Sequence, residues 1–170
     1  MSLKIELNTL YTRRLQAPLT LDGVPLIDAM TSGRAMGELL ETFLPHLFSN
    51  IKKAPGNTVD CLVGDKKGQI KSFKNNPKDK SKPCIYTGPS SDFDKPETVV
   101  SREQRIENLF FYYDCFDCFL LMDKRRLDKA ILSFLLLPTA HLTEWVEADI
   151  NKKISKGSIG CISLEAFEAG

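Results

Sequence analysis

Apolar and polar residues alternate with two different periods along this chain, and the changes of period divide it into elements. After Thr31-Ser32-Gly33, the residues Met36, Leu39, Leu40, Phe43, Leu44 and Leu47 recur at helical spacing. That pattern predicts an amphipathic helix from Arg34 to about Ser49, with one of the two hydroxyls as its cap. Pro45 should kink this helix or restart it. Before it, residues 1–29 read as a short arm and an apolar segment, punctuated at Pro18, Asp22-Gly23 and Pro25.

The period then drops to two. Val59, Leu62 and Val63 supply a short strand, Gly64 to Gly68 a turn of glycine and charge, and Ile70 and Phe73 a second strand, which together predict a tight β-hairpin. Cys84-Ile85-Tyr86-Thr87 reads as a short strand closed by Gly88-Pro89-Ser90-Ser91. A second helix is expected to begin near Pro96 or Ser101 and to carry Ile106, Leu109, Phe110 and Tyr113. Strand patterns recur at Cys115–Met122, Ile131–Leu137 and Ser158–Leu164, with a helix from Thr143 to Ile154 whose Trp145, Val146 and Ile150 face inward. No repeat or linker interrupts residues 1–170. The order implies a single domain of α/β or α+β class, helices packed around a mixed sheet.

Composition narrows this picture. A net charge of +1 argues against a chain that is polybasic throughout. The longest apolar run, Ala130 to Leu137, falls well short of the roughly 18–20 residues that span a bilayer. The first residues lack the basic-then-apolar pattern of a secretory leader, so a cytoplasmic protein without membrane association is expected. Five cysteines without that leader read as reduced thiols. Cys115 and Cys118 form a C-x-x-C, but it lies in an apolar strand pattern, and no second pair or paired histidines complete a zinc set. They are expected in the core. His46 and His141 read as ordinary packed or surface residues, and no P-loop accompanies Ser32-Gly33. Phe110-Phe111-Tyr112-Tyr113 reads as core or a dimer contact rather than a base-stacking platform.

The hairpin is where chemistry gathers. Gln69 and Lys71 are two apart, so on a strand they project from one face, and the hairpin folds that face towards Asp60. Two oxygen donors and an ammonium would then converge, the minimum for metal-assisted phosphodiester hydrolysis. From Lys66 to Lys82, through the second arm and beyond it, there are lysines at 66, 67, 71, 74, 78, 80 and 82 against Asp79 alone. Their position suggests phosphate contact by Lys74, Lys78, Lys80 and Lys82.

With this order in place, the chain resembles the PD-(D/E)xK nuclease superfamily, in particular type II restriction endonucleases. Gly56-Asn57-Thr58-Val59-Asp60 followed by Gln69-Ile70-Lys71-Ser72 looks like the PvuII-type active-site hairpin. Ser32-Gly33-Arg34-Ala35-Met36-Gly37-Glu38-Leu39-Leu40-Glu41 is similar to the HincII-type helix, which often lends a glutamate to the metal site. The resemblance covers residues 32–75 by motif and 101–164 by element order alone. It implies a restriction-endonuclease-like mixed sheet flanked by helices, and Mg²⁺ held by Asp60, Gln69 and Glu41, with Glu38 the rival to Glu41. It assigns Lys71 to orient or deprotonate the attacking water and to stabilise charge on the phosphate. Gln69 departs from the usual Asp or Glu. Its carbonyl can still bind a cation but adds no negative charge, so Asp60, the helix glutamate and the phosphate would carry the ion.

Three functional readings follow. The first is a Mg²⁺-dependent endonuclease cutting double-stranded DNA, a homodimer because one such site cuts one strand. The second is a nucleic-acid-binding module on the same scaffold that does not cut. The third is a protein-interaction domain with no nucleic-acid role.

Overall fold

The computed structural model describes residues 3–14, 20–21, 24–25, 42–56, 58–73, 84–89, 101–126, 131–152 and 161–163. Their centre is a six-stranded mixed sheet. Its strands are β1 (Leu10–Arg14), β4 (Ile51–Lys53), β5 (Cys61–Val63), β6 (Lys66–Phe73), β8 (Cys118–Asp123) and β9 (Ile131–Pro138), in the spatial order β1-β9-β8-β6-β5-β4. Two ribbons stand apart from it. One joins β2 (Thr20–Leu21) to β3 (Val24–Pro25), the other β7 (Cys84–Tyr86) to β10 (Cys161–Ser163), both antiparallel. The helices are α1 over residues 42–47, α2 (Arg102–Tyr113) and α3 (Thr139–Lys152). The class is α+β.

β4, β5 and β6 form an antiparallel meander, α2 crosses over, and β8 returns parallel to β6. Asp117 fixes the start of that parallel pair. Its carboxylate accepts the Lys67 N–H at 2.7 Å and its own N–H donates to the Lys67 carbonyl at 2.9 Å. β8 is apolar nearly to its end and buried throughout, as a central strand covered on both faces must be.

Strand alternation sends the apolar residues into two cores. One face buries Ile5, Leu44, Phe48, Cys61, Cys118, Leu120, Phe134 and Leu136. The other buries Leu109, Tyr113, Phe119, Leu121, Leu135, Leu137, Leu142 and Val146, beneath α2 and α3. Ser101 caps α2, its hydroxyl accepting the Gln104 N–H at 3.2 Å, so the second of the two expected start points is the one used. α3 begins at Thr139, earlier than the expected Thr143, because the Thr139 hydroxyl and N–H reach Phe116 and Asp117 and secure the first turn. Val146 is fully buried, and Trp145 and Ile150 pack against its cluster.

Several expectations are corrected. The hairpin turn is Gly64-Asp65 alone, with Gly64 at φ +66°, and Lys66 to Gly68 already belong to β6. Gly68 is in the strand because its neighbour needs the room: a Cβ there would lie 2.8 Å from Cys61 Sγ. The strand expected at Cys115–Met122 is β8, which begins at Cys118, and Cys115 is exposed in the preceding turn, so only one cysteine of the C-x-x-C joins the core. β1 falls in the expected N-terminal arm, yet it pairs along its length with β9. The described part of α1 continues through Pro45 to residue 47, and Phe48 closes it by donating to the Leu44 carbonyl.

Candidate active site

Register places the three hairpin residues on one face. Lys71 pairs with Leu121 and Gln69 with Phe119, whose side chains belong to the core under α2. The intervening Ile70 packs into the opposite core. Extending the β5–β6 register by one residue sets Asp60 across from Gln69. The ladder does not continue there by backbone. Asp60 Oδ2 accepts the Ile70 N–H at 2.8 Å, so the carboxylate serves as the acceptor that the strand would next supply. This bond fixes the side chain against β6.

Asp60 is half-buried, and burial raises its carboxyl above the usual range. The Ile70 N–H and the positive charge of Lys71 pull in the other direction. Burial pushes the Lys71 ammonium down to about 8, opposed by the Asp60 carboxylate. Each charge partly offsets the other's loss of water.

Two groups outside the hairpin complete the cage around Lys71. Its Nζ donates to the Gly88 carbonyl at 2.7 Å and lies 5.0 Å from the centre of the Tyr112 ring. Gly88 is buried just after β7, and the preceding Thr87 hydrogen-bonds to the hydroxyl of Tyr113 on α2. Segment 87–89, α2 and β6 therefore meet at one ammonium. Sequence reasoning misses both partners. Tyr112 shows there only as part of an aromatic run, and Gly88 only as turn punctuation.

Gln69 Oε1 is buried and accepts no hydrogen bond. A buried acceptor left unmatched costs about 1–3 kcal/mol, and such an atom calls for a partner. Mg²⁺ takes oxygen ligands, commonly one or two carboxylates plus substrate phosphate. A Gln69 carbonyl without a hydrogen bond beside a half-buried Asp60 carboxylate is a donor set that fits it. Among the described residues no three of His, Cys, Asp and Glu converge to hold a metal. A cation here would rest on Asp60, Gln69 and the substrate.

Glu41 and Glu38, and Lys74, Lys78, Lys80 and Lys82, lie outside the described residues. His46 is exposed on α1, whereas His141 bonds Asn8 at 3.1 Å and packs on Trp145. Tyr112, Tyr113 and Phe116 form edge contacts with Phe119 and are core, but Phe111 is 76% exposed. A groove lined by Ile5, Val63, Cys118 and Leu136 opens on the face opposite Lys71 and does not touch the site. No helix among the described residues is long and apolar enough to cross a membrane. Compared with known proteins, the chain matches no family model, and no curated protein or solved structure matches it.

Proposed function

We propose that this chain is a Mg²⁺-dependent endonuclease that hydrolyses phosphodiester bonds in duplex DNA, of restriction-endonuclease-like fold and acting as a homodimer. One observation carries the reading. A half-buried carboxylate, a buried amide oxygen without a hydrogen bond and a caged ammonium share one face of one hairpin. The element order supports the reading: the PD-(D/E)xK resemblance implies a helix, a small mixed sheet bearing the catalytic residues, a helix and a further strand, and α1, the sheet strands β4 to β6, α2 and β8 follow in that sequence with β7 between β6 and α2.

In this reading Asp60 and Gln69 would hold the Mg²⁺, whose chemistry when bound is to polarise a phosphate oxygen and acidify a water. Asp60 is pre-aimed by the Ile70 N–H. Lys71 contributes fixed positive charge to a phosphate that gains negative charge as the bond breaks. Its cage of Gly88 and Tyr112 holds that charge in place before substrate arrives. Because Gln69 is neutral, the site attracts a cation less strongly than a two-carboxylate site would. That one feature favours a second reading, a nucleic-acid-binding module that does not cut.

Incubating supercoiled plasmid with and without Mg²⁺, beside a folded Asp60→Ala control, separates the two. Nicked or linear product that needs both Mg²⁺ and Asp60 supports the nuclease. Binding without any product leaves the binding module, and equal cleavage by Asp60→Ala removes the site as drawn.

A further inference from the structure

We propose that Thr87 and Tyr113 form a latch that positions the Lys71 ammonium, acting through the Gly88 carbonyl without touching substrate. The main sheet does not set where that carbonyl lies. Gly88 follows β7, and β7 pairs with β10 rather than with any strand of the six-stranded sheet that carries Lys71. The hydroxyls of Thr87 and Tyr113 supply the tie, through a hydrogen bond between two fully buried side chains. Threonine is mostly an exposed residue, and a hydroxyl taken out of water without a partner is costly. Pairing the two in the interior therefore fixes segment 87–89 against α2.

The latch closes a circuit around one ammonium. Tyr112 and Tyr113 are consecutive on α2. The Tyr112 ring centre lies 5.0 Å from Lys71 Nζ. Tyr113 reaches the residue next to Gly88, whose carbonyl accepts from the same Nζ at 2.7 Å. One turn of helix thus sets both a ring face and an acceptor. Tyr113 is itself held by edge contacts of its ring with Phe110 and Phe119, at 6.1 and 5.3 Å between ring centres. Phe119 is the β8 residue that pairs with Gln69, so the latch is anchored on the strand pair that carries the site.

The chemistry of the acceptor gives the latch its meaning. A carbonyl is neutral, so it orients an N–H without cancelling its charge, as a carboxylate would. A lysine ammonium is otherwise a point charge on a flexible stem. Held by Gly88, it keeps its charge in a fixed place, and a charge that need not reorganise stabilises a transition state best. A misplacement of about 1 Å in such a group can cost about 100-fold in rate.

The part of Lys71 in cleavage belongs to the nuclease reading, on which this inference rests for its reaction, so the ammonium is also observed directly. Thr87→Val with Tyr113→Phe removes the latch and leaves neither of its hydroxyls unmatched, a change that is nearly neutral for folding. In this double variant kcat for plasmid nicking should fall about 10- to 100-fold, while the Mg²⁺ requirement and the DNA affinity in Ca²⁺ are kept. The NMR signal of Lys71 Nζ in mildly acidic buffer, assigned by its absence from Lys71→Arg, should be sharp in the parent and lost to exchange with water in the double variant. Tyr113→Phe alone, which keeps the packed ring, should show the same two losses. Thr87→Ser, which keeps the hydroxyl, should show neither. A Nζ signal as sharp in the latch variants as in the parent overturns the proposal, and so does a lost signal with kcat unchanged. If the parent cuts no DNA, the nuclease reading falls, and the Nζ signal alone then decides the latch.

Discussion

The ammonium of Lys71 donates to the carbonyl of Gly88, so the charge proposed to face the phosphate is held by a segment from another part of the chain. Lys71→Ala should lower the cleavage rate by about two orders of magnitude, the scale of losing one preorganised charge at a transition state. DNA affinity in Ca²⁺ should fall only modestly, because the remaining cations still hold the backbone. A proportionate fall in both quantities would make Lys71 a binding residue and nothing more.

Tyr112 offers its face to that ammonium at 5.0 Å. Tyr112→Phe keeps the ring and should retain nearly full turnover, whereas Tyr112→Leu should reduce it severalfold, given about 0.5–2 kcal/mol for such contacts. Equal rates for the two variants, both folded by circular dichroism, would show that the ring acts only as packing.

Gln69 should reveal itself through opposite effects on stability and activity. Gln69→Met removes the buried oxygen that accepts no hydrogen bond, and in metal-free buffer it should raise stability by about 1 kcal/mol while abolishing cleavage. Gln69→Glu should instead lower the Mg²⁺ concentration needed for half-maximal rate. If urea titration finds Gln69→Met less stable than the parent, the amide is serving a structural bond.

Gly68 is a steric requirement. Gly68→Ala would press a methyl to 2.8 Å from Cys61 Sγ and 3.4 Å from the Cys61 carbonyl, and should cost about 1–3 kcal/mol. Cys61→Ala in the same chain should recover part of it, since the sulfur is then gone. Additive losses in the double variant would place the conflict with the backbone alone.

Cys118 makes alkaline stability fall. Burial pushes its thiol up to about 11 from an ordinary value of 9.0, reinforced by Asp117 and opposed by Lys66. Between those two pH values the unfolded chain has released the proton that the folded chain retains, so folding weakens as pH rises. Below about 9 the contribution is fully present. Comparing urea midpoints of the parent and Cys118→Ala from about pH 8 to 11 should show the parent losing ground to the variant. Parallel curves would mean that Cys118 ionises as freely folded as unfolded.

What residue order makes legible here is local. Gln69 and Lys71 fall on one face because strands repeat every two residues, and Asp60 comes with them once a hairpin is drawn. The turn reads too long from sequence because lysines and Gly68 look like loop, whereas strand pairing and the space beside Cys61 decide it. β1 carries no apolar alternation of its own, and only pairing with β9 makes it a strand. Gly88 and Tyr112 escape notice for a related reason. A carbonyl and a ring face become partners of an ammonium only through packing of distant segments. The helix glutamates and the distal lysines, which rest on the resemblance and on charge, lie outside the described residues.

The ribbon joining β7 to β10 has a consequence in time. Cys84–Tyr86 finds its ladder partner in residues 161–163, and Gly88 follows two positions after Tyr86. A ribosome that has released the whole Asp60–Lys71 hairpin has still not delivered the strand that anchors the acceptor of its ammonium. The ladder leading into the Gly88 acceptor is therefore completed only after residues 161–163 emerge, so a nascent chain carries the hairpin and the Thr87–Tyr113 bond before it carries the finished ribbon.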